Sequence, residues 1–213
     1  MKKKNKEAKF SISLGLFDYI NPILYGITCY FLIINLNNKM PQPFFTIFII
    51  GTIISLLFGL TIPTVKLLVG LGKMKFKMPV NLVFFVNTGI LISGTMLLKY
   101  ISDINITMSI LLIDAVLITL LIIYYICKKF NTIAVLTGAF GYIFLYISLI
   151  TKSINDSIII STIFYSIAIM FFVTLCGIGI KANLKNPKVH WIIEISNVLC
   201  QLLVTVGTIL LFI

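Results

Sequence analysis

The sequence predicts an all-α, polytopic integral membrane bundle of seven transmembrane helices. Three observations carry that class. Hydrophobic residues make up 60% of the 213-residue chain and charged ones 11%, with a mean hydropathy of +1.12, whereas soluble globular domains carry about 25% charged residues. The apolar residues fall in runs of about 20 or more, long enough to cross the hydrocarbon core as helices. The net charge of +11 sits in short breaks between those runs and not on a hydrophilic surface. These facts exclude a water-soluble domain, a disordered chain and a nucleic-acid-binding protein; the bilayer is the expected surroundings.

Seven runs qualify, at 10–36, 44–72, 79–101, 106–127, 132–151, 157–180 and 189–213. The first is too long for a signal-peptide core and has no small-residue cleavage pattern, so it should persist as a helix. Within it, Asp18, Asn21, Tyr25 and Thr28 share a face, and Pro22 withholds a backbone donor one turn after Asp18, predicting a local break at Asn21-Pro22. The second run places Thr52, Ser55, Gly59, Pro63 and Lys66 on one face. The third carries Asn81, Thr88 and Thr95 on one face and Asn87 beside them; the fourth carries Thr107, Asp114 and Tyr125. The sixth ends in Cys176-Gly177-Ile178-Gly179, a close-packing site or flexible exit. The seventh is the most informative. His190, Glu194, Asn197, Gln201, Thr205 and Thr208 recur at spacings of 4, 3, 4, 4 and 3, which keeps them within a stripe of about 80° at 100° per residue. Lipid cannot satisfy such a stripe, so it must face other helices or water.

The lysines set the orientation. They cluster at Lys2, Lys3, Lys4, Lys6 and Lys9, at Lys66, Lys73, Lys75 and Lys77, at Lys128 and Lys129, and at Lys181, Lys185 and Lys188. The alternate connections hold Lys39, Lys99 and Lys152 alone. Positive residues stay cytoplasmic, so the chain reads as N-in, C-out. Arginine is absent, all 17 basic residues being lysine; with the high Ile and Asn content this suggests an AT-rich bacterial genome and a cytoplasmic-membrane location. The four cysteines, Cys29, Cys127, Cys176 and Cys200, are dispersed and form no CxxC. No disulfide framework, metal site or cofactor is expected.

A short pattern recurs. Leu24-x-Gly26-x3-Tyr30 returns as Leu136-x-Gly138-x3-Tyr142, and Gly94-Thr95-x-Leu97-Leu98 as Gly207-Thr208-x-Leu210-Leu211. Two like-oriented units, 10–101 and 132–213, would then be joined by the odd helix at 106–127. Such a 3+1+3 parallel arrangement is a known transporter plan.

Charge inside a bilayer costs about 2.5–3.5 kcal/mol per residue on insertion scales. Even so, Asp18, Asp114 and Glu194, half of the six acids, fall within spans. Asp18 and Asp114 each lie about 12 Å from one edge, and Glu194 about 8 Å from the cytoplasmic edge. Their roles are ion coupling or hydrogen-bonded helix contacts. Lys66 either snorkels to the interface or pairs with Glu194 or Asp18 at similar depth. Trp191 is a natural interface anchor beside His190.

The expected pathway for substrate or ions comprises Asp18, Asn21, Asn87, Asp114, His190, Glu194, Asn197 and Gln201, with Lys66 as a candidate ion-pair partner. The function expected first is a small-solute transporter or permease, open to proton coupling. A membrane-embedded sensor or accessory subunit, with a protein partner or as a homo-oligomer, is the alternative. An intramembrane enzyme acting on lipid through His190 and Glu194 ranks last, because the sequence contains no HExxH, GxSxG or Walker A pattern.

Overall fold

The computed structural model describes residues 11–74, 80–102, 115–116, 118–120, 122–123, 130–181 and 187–213. Among these there is no strand. The helices are α1 (Ile12–Asp18), α2 (Ile20–Leu36), α3 (Gln42–Gly70), α4 (Val80–Ile101), α5 (Phe130–Asn155), α6 (Ile159–Lys181) and α7 (Pro187–Phe212). Counting α1 and α2 as one, six helices are long and apolar enough to span a membrane. The fourth expected span lies mostly outside the described residues, as does Asp114; the described positions within 115–123 are helical.

The division of the first span has a local cause. Pro22 has no N–H, so the Asp18 carbonyl loses its helical donor, and the helix is interrupted at Tyr19. The Tyr19 amide turns instead to the Leu16 carbonyl at 3.3 Å. Pro63, inside α3, leaves that helix continuous, since transmembrane helices tolerate proline where neighbours supply compensation. Helix ends are closed by left-handed residues. After α3, Gly72 takes φ 72°, with Lys73 N–H bonded to Leu68 carbonyl and Gly72 N–H to Val69 carbonyl. After α5, Ser157 takes φ 59° in the same double arrangement.

Small residues let the backbones approach. An added Cβ at Gly89 of α4 would meet the Gly51 carbonyl oxygen of α3 at 2.5 Å, and one at Gly94 would meet the Gly141 carbonyl of α5 at 2.5 Å. Such contacts are a main source of cohesion in a bilayer, where burial from water no longer drives helix association. The contacts also fix direction. Gly51 meets Gly89 and Ser93 while Ser55 meets Gly89, so α3 and α4 are antiparallel. Asn87 meets Gly138 and Gly94 meets Gly141, so α4 and α5 are parallel. Asp18 lies with Glu194 around Lys66, and Thr28 with Thr205, so α1–α2 and α7 are parallel as well.

The largest buried apolar cluster lies towards one end of the bundle. Leu32, Leu36, Phe45, Phe48, Leu97, Leu145, Tyr146, Leu149, Tyr165, Val204 and Leu211 form one cluster. All lie towards the end where α2, α4, α5 and α7 finish. The other half of the bundle, where α1, α4 and α7 begin and α3 and α6 finish, holds a cavity.

Candidate functional site

The cavity has a volume of about 290 Å³ and is walled by all six spans. Its walls are largely aliphatic, among them Ile62, Val83, Val86, Ile90, Val135 and Leu175, with Tyr25, Tyr142 and Phe172 supplying aromatic faces. Its polar groups are few and convergent, as ligand pockets require. α1 contributes Asp18, α2 Asn21, α3 Ser55 and Lys66, α4 Asn87, and α7 His190, Glu194 and Asn197.

Lys66 is the organising charge. Its Nζ lies 2.7 Å from Asp18 Oδ2 and 2.5 Å from Glu194 Oε1. It is 6% exposed, with Asp18 and Glu194 at 5% each. A side chain so enclosed does not snorkel. The three groups come from α1, α3 and α7 and fasten those helices together at the lysine-rich end. Phe17 and Trp191, each next in sequence to a residue near this junction, pack with tilted rings, centroids 5.5 Å apart, so Trp191 also has a packing role within the bundle. His190 is buried on the same wall, 3% exposed.

The amides differ in how far they are committed. Asn87 Nδ2 donates to the Ala134 carbonyl at 2.5 Å. That contact needs Gly138, since a Cβ there would lie 2.6 Å from the Asn87 amide. Among the described residues, no hydrogen bond occupies the side chains of Asn21 and Asn197, which both line the cavity. A second void of about 30 Å³ continues past them to Tyr146, Cys200 and Gln201, enough for a water or two.

The polar stripe of α7 therefore divides by depth. His190, Glu194 and Asn197 border the cavity. Gln201 borders the small void and donates to Thr28 Oγ1 at 3.3 Å. Thr205 joins Thr28 at 3.0 Å and the Leu24 carbonyl at 3.1 Å, and Thr208 accepts from the Tyr165 hydroxyl at 3.2 Å. The lower half faces open space and the upper half ties helices together.

Of the residues singled out from the sequence, Asp18, Asn21, Lys66, Asn87, His190, Glu194 and Asn197 meet at the one cavity, with Gln201 at its inner margin. Asp114 lies outside the described residues. Tyr142, Phe172, Cys176 and Ser55 also line the space. Ser55, Tyr142 and Cys176 stood in patterns read for other reasons, whereas Phe172 carries no local signal that sets it apart from lipid-facing neighbours. Among the described residues no cluster of three or more His, Cys, Asp or Glu side chains could hold a metal ion. The chain matches no family model, no curated protein and no solved structure.

Proposed function

We propose that this chain is a small-solute permease of the bacterial cytoplasmic membrane, N-in and C-out, with seven spans in a 3+1+3 arrangement and proton coupling at Asp18, Lys66 and Glu194. The observation that carries the reading is the cavity, enclosed by all six described spans, reached by uncommitted amides and ending beneath a packed apolar layer. A binding space at one end and a seal at the other is the form an alternating-access carrier takes in one of its states.

The seven-span count draws support from helix direction. Parallel α4 and α5 require the chain to return between 101 and 130, and Val116 and Leu120 in that stretch pack with Leu98, Ile133 and Phe144. The repeat draws support from the pattern of neighbours. A two-fold that exchanges spans 1–3 with spans 5–7 turns the parallel α4–α5 contact into a parallel α7–α2 contact. It turns α3–α4 into α6–α7, and α2–α3 into α5–α6. Each of these pairs is in contact. The close approach itself is not repeated: at the 112–113 offset Gly94 against Gly141 would correspond to Gly207 against Cys29, whereas Gly207 lies against the Tyr165 ring of α6, and the α2–α7 contact nearby is Thr28 with Thr205.

The sensor or accessory-subunit reading rests on the same cavity, since a ligand space with one sealed end also suits a receptor. The lipid-acting enzyme reading loses ground because Glu194, its candidate base, is held by Lys66. Thermal unfolding of the purified protein against a panel of small metabolites separates the first two. Binding to the folded state raises apparent stability by RT ln(1 + [L]/Kd). The permease reading expects a compound that stabilises the wild type, fails to stabilise Asn197→Leu, and accumulates in vesicles carrying the protein. Binding without flux favours the sensor, and a panel without any stabilising compound overturns a ligand cavity.

A further inference from the structure

We infer that the cavity takes a small monovalent organic cation, an ammonium or quaternary ammonium compound, in competition with a proton at the Asp18–Glu194 pair. The inference rests on the small-solute reading and adds the charge class of the solute. It starts from a count of charges. Two carboxyls and one ammonium share the site, each nine-tenths or more buried. With all three ionised, one negative charge remains uncompensated.

An uncompensated buried charge is costly, so the site holds either a proton or a cation. Lys66 is already engaged by both acids and has no charge to offer an anionic ligand. Both carboxyls contact the same Lys66 Nζ, so their oxygens crowd around one ammonium and a single proton on either would remove the surplus charge. Removing that proton creates the vacancy that a cation fills. The site is thus built to exchange one positive charge for another.

The remaining walls select among cations. A hydrated metal ion needs a shell of oxygen ligands, whereas most of this cavity is aliphatic. Tyr25, Tyr142 and Phe172 present aromatic surface, which attracts ammonium groups through the ring quadrupole. Asn21 and Asn197 remain to bind a hydroxyl or carbonyl elsewhere on the solute. The volume of about 290 Å³ limits that solute to a small molecule.

Among the described residues, the titratable and charged groups that line the cavity with the pair are Lys66 from α3, His190 from α7, Tyr25 from α2, Tyr142 from α5 and Cys176 from α6; α4 presents the neutral Asn87. Protonation of His190 would supply the same positive charge as a carboxyl proton. Both therefore act in one direction, and cation affinity rises with pH.

Four probes of similar size and different charge test the inference on the wild-type protein. They are choline, its neutral carbon isostere 3,3-dimethylbutan-1-ol, the zwitterion trimethylglycine and the anion 3,3-dimethylbutanoate. Unfolding temperature reads binding, and protection of Cys176 from a thiol reagent reads location. The expected result is that choline alone stabilises and protects, with affinity falling by up to about tenfold per pH unit on acidification. Glu194→Gln removes the surplus charge and should weaken choline at least about tenfold, the equivalent of 1.4 kcal/mol; Asp18→Asn should do the same.

Preference for the anion, the zwitterion or the neutral isostere overturns the cation assignment and leaves the small-solute reading standing. Choline binding that ignores pH and both carboxyl variants overturns the exchange. Failure of all four probes against folded protein, with another metabolite stabilising it, overturns the inference alone. Failure of every compound overturns the permease reading with it.

Discussion

At the scale of single residues, Lys66 decides whether two acids can be buried where they are. Each carboxyl lies within ion-pair distance of Nζ. Breaking a buried pair by deleting one partner costs about 3–5 kcal/mol, because the remaining charge stays buried without compensation. Lys66→Met should therefore lower unfolding stability in detergent by an amount in that range. The double variant Lys66→Met with Glu194→Gln should recover part of the loss, since it leaves one carboxyl in place of two. Equal loss in the single and double variants would mean that water in the cavity already compensates the acids. The acids were legible in the sequence because charge within an apolar run is rare and expensive. Lys66 was readable in two ways because a lysine near a helix end can reach either the interface or a partner. Depth along the helix does not choose between them; the direction of the side chain does, and that is set by packing against α1 and α7. Phe172 shows the opposite limit. An apolar residue beside a cavity and one facing lipid look alike in sequence, since both are surrounded by apolar neighbours.

At the scale of helices, run length and the lysine-rich breaks were sufficient to place the six described spans to within a few residues. Neighbour order was not readable, because lipid and helix interior have similar polarity and leave no alternation to separate them. What specifies neighbours is where small residues fall. Gly89 is the clearest case: its missing side chain lets α4 lie against the Gly51 carbonyl and Ser55 amide. Gly89→Ala must push backbone and not a flexible side-chain end, so a loss of about 1–3 kcal/mol is expected from overpacking, measured as a lowered unfolding midpoint. A change at exposed Ile53 of the same helix should have little effect. The α1–α2 break makes a second prediction. Pro22→Ala restores the donor for the Asp18 carbonyl and favours one continuous helix. If that draws Asp18 away from Lys66, the loss of the buried contact offsets the gain in helix continuity, so the unfolding midpoint should not rise and the response to cavity ligands should weaken. Lower stability together with full ligand response would show that the break serves packing and not the site.

At the scale of the whole molecule, the bundle is open where its charges lie and closed where its apolar core lies. The division of the α7 stripe makes this asymmetry concrete, since the residues that border the cavity and those that close it belong to one helix face. Among the described residues the polar part of the closure consists of a few bonds: Thr28 to Thr205, Thr205 to the Leu24 carbonyl, Gln201 to Thr28, Tyr165 to Thr208, Tyr146 to Cys200 at 3.2 Å, and Cys200 to the Ala168 carbonyl. Interhelical hydrogen bonds in membranes average about 0.6 kcal/mol each. Six of them amount to about 3.5 kcal/mol on that figure, comparable to the gap that leaves a second state at 0.1–10% of the population. The packed aromatics add to that closure, but the polar part alone lies within reach of a ligand's differential affinity. On the permease reading, access would reverse when those bonds break together. With the native cysteines replaced, Asn197→Cys should react with a membrane-impermeant thiol reagent from the lysine-rich side only, and Thr208→Cys from neither side. Thr205→Val removes two interhelical contacts and should make a cysteine at 208 reactive from the opposite side while reducing reactivity at 197. Reactivity at 208 unchanged by Thr205→Val and by saturating ligand would mean that the seal does not open, and the molecule would then be a receptor with a blind pocket.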